Sequence, residues 1–169
     1  MTDQVKKFIR VDHAGEFGAA RIYAGQLAVL GRGKHGETLK EMAAQEQRHL
    51  DAFATLIARR RVRPTALLPL WQVAGFALGA ATAALGPRAA MACTVAIEET
   101  IDAHYAAQAE KLDEDEAELR ETISKFRLEE LEHRDIALAN EAEQAPGYRL
   151  MTAVIKAGCR AAIRLSEKI

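Results

Sequence analysis

A chain of 169 residues can bury one sizeable core and is too short for two ordinary domains. Aromatics are 5%, there are only 4 prolines, and no run alternates polar with apolar residues over strand length, so the composition favours helices throughout. A formal charge of -1 and a pI near 6.5 give no reason to expect a nucleic-acid partner.

The first predicted helix begins at Asp3 or Asp12 and ends at Leu30, before the glycine-rich Gly31-Arg32-Gly33. A second runs from Gly36 to Arg60, with Leu39, Met42, Glu46, His49, Phe53 and Leu56 along one stripe. Between Arg63 and Arg88 no Asp, Glu, Lys or Arg occurs. This crossover, about residues 64–87, carries Leu67-Leu68-Pro69-Leu70-Trp71 and then a Gly/Ala-rich run. A third strong helix starts near Pro87 with Met91, Thr94, Glu98, Ile101, Tyr105 and Leu112 on one side. A fourth holds Leu119, Ile123, Phe126, Glu130, His133 and Ala137, and stops before Pro146-Gly147. Steps of three and four keep each set on a single helix face. The last segment, residues 148–169, turns Leu150, Met151, Val154, Ile155, Cys159 and Ala162 to one side. Arg149, Lys156, Arg160, Arg164 and Lys168 recur at helical spacing on another.

The fold class expected from these segments is an all-α, ferritin-like four-helix bundle with one long crossover, an apolar crossover helix and a C-terminal basic amphipathic helix, all in one domain over residues 1–169. Tight links make helices one and two, and three and four, antiparallel pairs, while the second-to-third connection must run the length of the bundle. A 25-residue helix is roughly 38 Å long, a span the crossover can cover while forming a helix of its own.

The charges carry the functional signal. Glu46 and His49 interrupt the apolar stripe of the second helix, Glu130 and His133 that of the fourth, and Glu98 that of the third; Glu16 lies among Ala19, Ala20 and Tyr23 in the first. An uncompensated buried carboxylate costs several kcal/mol or takes up a proton, so four facing inward call for cations between them. In Glu-x-x-His the two residues are neighbours on one helix face and can approach one metal together. A lone Glu on two helices with Glu-x-x-His on two others is the ligand plan of di-iron and di-manganese bundles. The chain also repeats. Glu16, Tyr23 and Gln26 share their spacing with Glu98, Tyr105 and Gln108, and Glu46, His49 and Asp51 share theirs with Glu130, His133 and Asp135. Glu98 follows Glu16 by 82 positions and Glu130 follows Glu46 by 84, so two related hairpins would bring both ligand sets to one centre. The register selects Glu98 over Glu99, and Glu130 over Glu129 and Glu132.

The remaining polar residues have plainer expectations. Tyr23 and Tyr105 suit core positions, Asp51 and Asp135 suit the surface, and His13 and His35 suit helix ends. His104, six residues past Glu98, could approach the centre from the side. Cys93 and Cys159 read as free buried thiols. The N-terminal residues lack the apolar core of a secretory signal and the Arg/Ser-rich character of a transit peptide, which suggests a bacterial cytoplasmic chain or a mature organellar form. The crossover has the length of a membrane span, about 20 residues, but the preferred reading is a helix lying on the membrane or lining a channel for a lipid-like substrate, beside the C-terminal helix. Gly75 and Gly79 would permit close helix approach. The cluster Arg59-Arg60-Arg61-Val62-Arg63 could contact anionic headgroups or be a solvated helix end.

Several strings resemble the demethoxyubiquinone hydroxylases, di-iron monooxygenases of ubiquinone biosynthesis: Asp12-His13-Ala14-Gly15-Glu16, Ala20-Arg21-Ile22-Tyr23-Ala24-Gly25-Gln26, Ala92-Cys93-Thr94-Val95-Ala96-Ile97-Glu98-Glu99, His104-Tyr105, Glu129-Glu130-Leu131-Glu132-His133 and Ala157-Gly158-Cys159-Arg160. The resemblance covers nearly the whole chain. It implies a peripheral membrane enzyme with two Fe ions, using O2 to hydroxylate the ring of 2-polyprenyl-3-methyl-6-methoxy-1,4-benzoquinol. Glu46 and Glu130 match bridging carboxylates, Glu16 and Glu98 terminal ones, and His49 and His133 each cap one iron. His104 and Tyr105 match a catalytic pair serving substrate ordering or electron transfer. The implied partners are a lipid-like quinone, the membrane surface, and a second copy or a ubiquinone-biosynthesis partner protein. The implied location is the cytoplasmic face of a bacterial membrane, or the mitochondrial inner membrane for an organellar form. The competing classes are ferritin- or rubrerythrin-type iron and peroxide handling, and a purely structural bundle.

Overall fold

The computed structural model describes residues 1–169 and contains six α-helices and no strand. They are α1 (Asp3–Leu30), α2 (Gly36–Arg59), α3 (Leu68–Ala84), α4 (Pro87–Ala109), α5 (Ala117–Ala139) and α6 (Tyr148–Ser166). The first helix starts at the earlier of the two expected positions, because the Thr2 hydroxyl accepts the Val5 amide and caps it there. His13 is therefore a buried mid-helix residue, not a helix end. His35 does sit at the start of α2, with Nδ1 3.2 Å from Asn140 Oδ1 beyond α5. Helix α4, the third of the expected bundle helices, closes at Ala109, so Leu112 is buried from the connection that follows rather than from the helix. Both cysteines are free thiols, Cys93 buried and Cys159 half-buried.

The hairpins α1–α2 and α4–α5 form the bundle, and α3 crosses between them. Their apolar stripes meet in two clusters. Phe8, Ile9, Phe53, Leu119 and Ile123 form one, and Leu39, Met42, Met91, Val95 and Ala137 form the other. The second helix of each hairpin is followed by one that folds back onto that hairpin's first helix, α3 on α1 and α6 on α4. The internal repeat thus extends to a pair of outer helices.

Pro69 begins the crossover helix instead of interrupting it, since proline in the first turn forfeits no hydrogen bond. No helix is long and apolar enough to cross a membrane. The inner face of α3 is made of Gly75, Gly79, Thr82 and Ala83, which brings the backbone against α1. A Cβ on Gly79 would lie 1.9 Å from the Ile22 carbonyl oxygen, and one on Gly25 would lie 2.2 Å from that of Phe76. Gly86 turns the chain into α4 at φ +115, a backbone conformation for which a side chain is strained. With small residues inward, the larger ones face out: Val73 is 67% and Leu70 51% exposed. The apolar side of α6 is likewise divided. Met151, Ile155 and Cys159 pack inward, while Leu150 and Val154 are exposed.

Two of the four arginines in the cluster at the end of α2 are paired within the protein, and the side chains of Arg61 and Arg63 are exposed. Arg59 and Arg60 reach Glu118 and Glu116, and the Arg63 carbonyl accepts a hydrogen bond from Arg10 Nε.

Gly79→Ala is expected to cost about 2 kcal/mol through overpacking. Gly158→Ala, where nothing lies within 4 Å of the added methyl, should leave stability unchanged or slightly raised. Urea unfolding of the two variants checks the contrast.

Candidate metal centre

The residues that break the apolar stripes lie at the same height in the bundle. Glu16 comes from α1, Glu46 and His49 from α2, Glu98 from α4, and Glu130 and His133 from α5. All six are essentially without solvent exposure. Their oxygens and ring nitrogens form two quartets, Glu16-Glu46-His49-Glu130 and Glu46-Glu98-Glu130-His133, with the ligand atoms of each quartet within 4.8 Å of one another. Glu46 and Glu130 belong to both.

Hydrogen bonding inside the cluster is incomplete. Glu16 Oε2, both oxygens of Glu46, Glu98 Oε2, Glu130 Oε2 and His133 Nδ1 have no aligned partner, although His133 Nδ1 lies 3.0 Å from Glu46 Oε1 and 3.4 Å from Glu130 Oε2. His49 Nδ1 is 3.0 Å from Glu130 Oε1 and 3.7 Å from Glu16 Oε2. Buried polar atoms left without partners are costly. Here they converge from four helices as oxygens with one imidazole per quartet, a donor set that suits a pair of first-row divalent ions. The residues fit such a pair.

Without ions the charges are balanced by protons. Burial, with the neighbouring carboxylates Glu130 and Glu46, pushes Glu16 up to about 8 despite His49, and Glu46 and Glu98 are raised as well. Burial also acts against the ionised form of Glu130, but hydrogen bonds from His133 and His49 outweigh it and hold this carboxyl down at about 2. Burial opposes the charged histidines too, yet the carboxylates facing them raise His49 to about 11 and His133 to about 9. An ion must displace these protons to bind.

The outer nitrogens of both rings are held by side chains of the opposite hairpin, while the two aspartates lie at the surface as expected. Asp51 and Asp135 are exposed and bond to Gln47 and Arg134. His49 Nε2 meets Glu129 Oε2 at 2.5 Å, and His133 Nε2 meets Gln45 Oε1 at 3.2 Å. Each partner immediately precedes the glutamate of the opposite Glu-x-x-His segment. The internal repeat points to these two positions once the hairpins are packed face to face.

The tyrosines also do more than fill the core. Tyr23 donates to Glu98 Oε1 at 2.7 Å, and Tyr105 donates to Glu16. Each hairpin's first helix thus supplies one carboxylate and the hydroxyl that orients its counterpart.

His104 does not reach the six-residue cluster. It lies in the wall of an apolar cavity of about 390 Å³ between α1, α3, α4 and α6. The buried Glu16, Tyr105 and Asp12 are among its lining residues, as are Trp71, Val154 and Ser166. Trp71 Nε1 donates to Ser166 Oγ at 3.1 Å, linking α3 to α6.

Residues 3–166 match the family model described as ubiquinone biosynthesis protein COQ7. The chain is 58% identical over 166 residues to a Rhodospirillum rubrum protein named 3-demethoxyubiquinol 3-hydroxylase, covering 98% of this chain and 78% of that one. It is 56% identical over 169 residues to the human NADPH-dependent 3-demethoxyubiquinone 3-hydroxylase, mitochondrial, covering 98% and 78%. Over 180 residues it is 43% identical to the Saccharomyces cerevisiae 5-demethoxyubiquinone hydroxylase, mitochondrial, covering 96% and 77%.

Two outcomes are expected. Groups that hold protons more tightly in the folded chain make stability fall as pH rises. For Glu16 this loss develops between its ordinary 4.5 and about 8, and for the histidines between 6.5 and about 9 to 11. Glu130 acts oppositely, its contribution being lost only as pH falls below 4.5 towards 2. Urea midpoints of the metal-free protein should therefore decline from about pH 6 to about pH 9, and bound metal should remove the decline. Glu129→Gln should weaken metal retention roughly tenfold in chelator competition.

Proposed function

Because the chain belongs to the family of the ubiquinone biosynthesis protein COQ7, we propose that it hydroxylates the ring of demethoxyubiquinol with O2, as a 3-demethoxyubiquinol 3-hydroxylase. Residues 1–169 act as one domain in this reading, with a di-iron centre at the six clustered side chains. Glu46 and Glu130, common to both quartets, would serve both ions, while Glu16 with His49 and Glu98 with His133 would each hold one. The single observation carrying the proposal is that the apolar cavity runs to Glu16, one of those ligands. An apolar cavity leading to a ligand serves a hydrophobic ring and has no evident use in iron storage or peroxide removal.

A bound iron pair would supply reductive activation of O2, with two electrons from an external reductant and two protons, so that one oxygen atom is placed on the ring and the other leaves as water. The protein's own residues do the rest. Tyr105 and Tyr23 hold the terminal carboxylates through their hydroxyls. Ile97, Ile101 and Ile155 line the cavity and keep water from the ring. His104 and Tyr105, adjacent on α4, border the cavity where the ring would lie.

The substrate's polyprenyl tail needs an apolar route, and the outer faces of α3 and α6 provide one. Leu70, Val73, Phe76, Leu150, Val154 and Leu165 are exposed there, and α3 bears no charge. Arg149, Arg160 and Arg164 stand exposed on α6. Apolar side chains beside exposed cations suit an anionic lipid surface, so this face rests on the membrane without crossing it. In a bacterial cell that is the cytoplasmic face.

Glu130→Ala or His133→Ala should reduce hydroxylation of a short-chain demethoxyubiquinol at least a hundredfold, with helical circular dichroism retained; full turnover by either purified, iron-loaded variant would overturn the assignment. Val73→Glu combined with Val154→Glu should abolish co-flotation with anionic vesicles while metal content stays intact.

A further inference from the structure

Asp12 is a buried carboxyl for which the metal centre has no use. It lies one turn before Glu16 on α1, and its side chain is completely buried. Oδ1 accepts a hydrogen bond from Gln108 Nε2 at 2.7 Å and lies 3.5 Å from His104 Nε2. Gln108 Nε2 is also 2.7 Å from His104 Nε2, so the three side chains form one polar group. Oδ2 has no partner at all. A buried carboxyl oxygen without a donor is unfavourable unless something else supplies one. Asp12 and His104 both line the apolar cavity that contains Glu16 and Tyr105. With Glu16, Thr100, Tyr105 and Ser166 they are the polar side chains of a wall otherwise made largely of Ile, Ala and Gly, so a ligand oxygen entering there has few places to bond.

We infer that Asp12 Oδ2 accepts the hydrogen bond of a ring hydroxyl of the bound quinol, with His104 and Gln108 fixing the carboxyl through Oδ1. This deepens the proposed function and rests on it. Its consequence is selectivity for redox state. A quinol offers O–H donors, whereas the corresponding quinone offers only carbonyl acceptors, which a carboxylate repels. The cavity therefore retains the reduced ring and discharges the oxidised one. Burial raises the Asp12 carboxyl, and His104 and Gln108 act in the opposite direction by favouring its charged form. The free energy of leaving one partner unpaired is what gives such a site its discrimination.

Trp71, the single tryptophan, lines the same cavity, so its emission reports occupancy directly. The experiment titrates the zinc-loaded full chain anaerobically with a decyl-tailed 6-methoxy-3-methyl-1,4-benzoquinol and with the matching quinone. The quinol should bind at least tenfold more tightly. Asp12→Asn should reduce that preference to threefold or less, with zinc content unchanged. His104→Gln, which leaves Asp12 in place but removes the imidazole beside it, should narrow the preference at least threefold and carries the test should Asp12→Asn fold poorly. Equal affinities in the unaltered chain would mean a neutral carboxyl donating to the carbonyl, and would overturn the inference, as would a preference unmoved in the folded variants. Failure of the unaltered chain to bind either ring would overturn the proposed substrate along with it.

Discussion

Burying four carboxylates in one core is the condition around which this protein is built. None of the four helices could bury its glutamate separately, because an ionised carboxylate in an apolar interior is several kcal/mol unfavourable. Burial and mutual repulsion make Glu16, Glu46 and Glu98 hold protons more tightly, while two histidines keep Glu130 ionised, and the cluster becomes tolerable only with protons or ions inside it. The helices are held at this height by aliphatic and aromatic clusters on either side. The centre is therefore a strained layer between two relaxed ones.

The support around the cluster follows the same economy. Each tyrosine hydroxyl that orients a carboxylate comes from the opposite hairpin, as does each side chain on an outer imidazole nitrogen. The arrangement is not quite symmetric. One imidazole is held by a carboxylate, Glu129, and the other by a neutral amide, Gln45. A carboxylate makes its imidazole the more electron-rich of the two, so the quartets differ although their ligands are of the same kinds.

Much of the fold was legible in sequence. The steps of three and four placed the bundle helices to within a few residues, and the repeat singled out the six side chains that converge, down to the choice of Glu98 over Glu99. What stayed hidden depends on contacts between distant segments. Glu129 and Gln45 look like ordinary polar neighbours of a glutamate until the hairpins are opposed. Arg59 and Arg60 read as free cations because Glu116 and Glu118, their partners, lie more than fifty residues away. Asp12 belongs to a motif string, but only the fold shows that one of its oxygens is left unpartnered beside a cavity. The α6 stripe reads as continuous, yet Val154 is exposed one residue before buried Ile155 because only part of the stripe faces α4.

The pairing of each hairpin with its own trailing helix has an architectural consequence. Where a half-length chain would need a twin to assemble such a cluster, here both halves are covalently joined and all six clustered side chains belong to one polypeptide. Dilution cannot separate them, and the halves are free to diverge. One trailing helix has become neutral and small-faced, the other cationic, which is a division of labour that identical protomers sharing one sequence could not adopt.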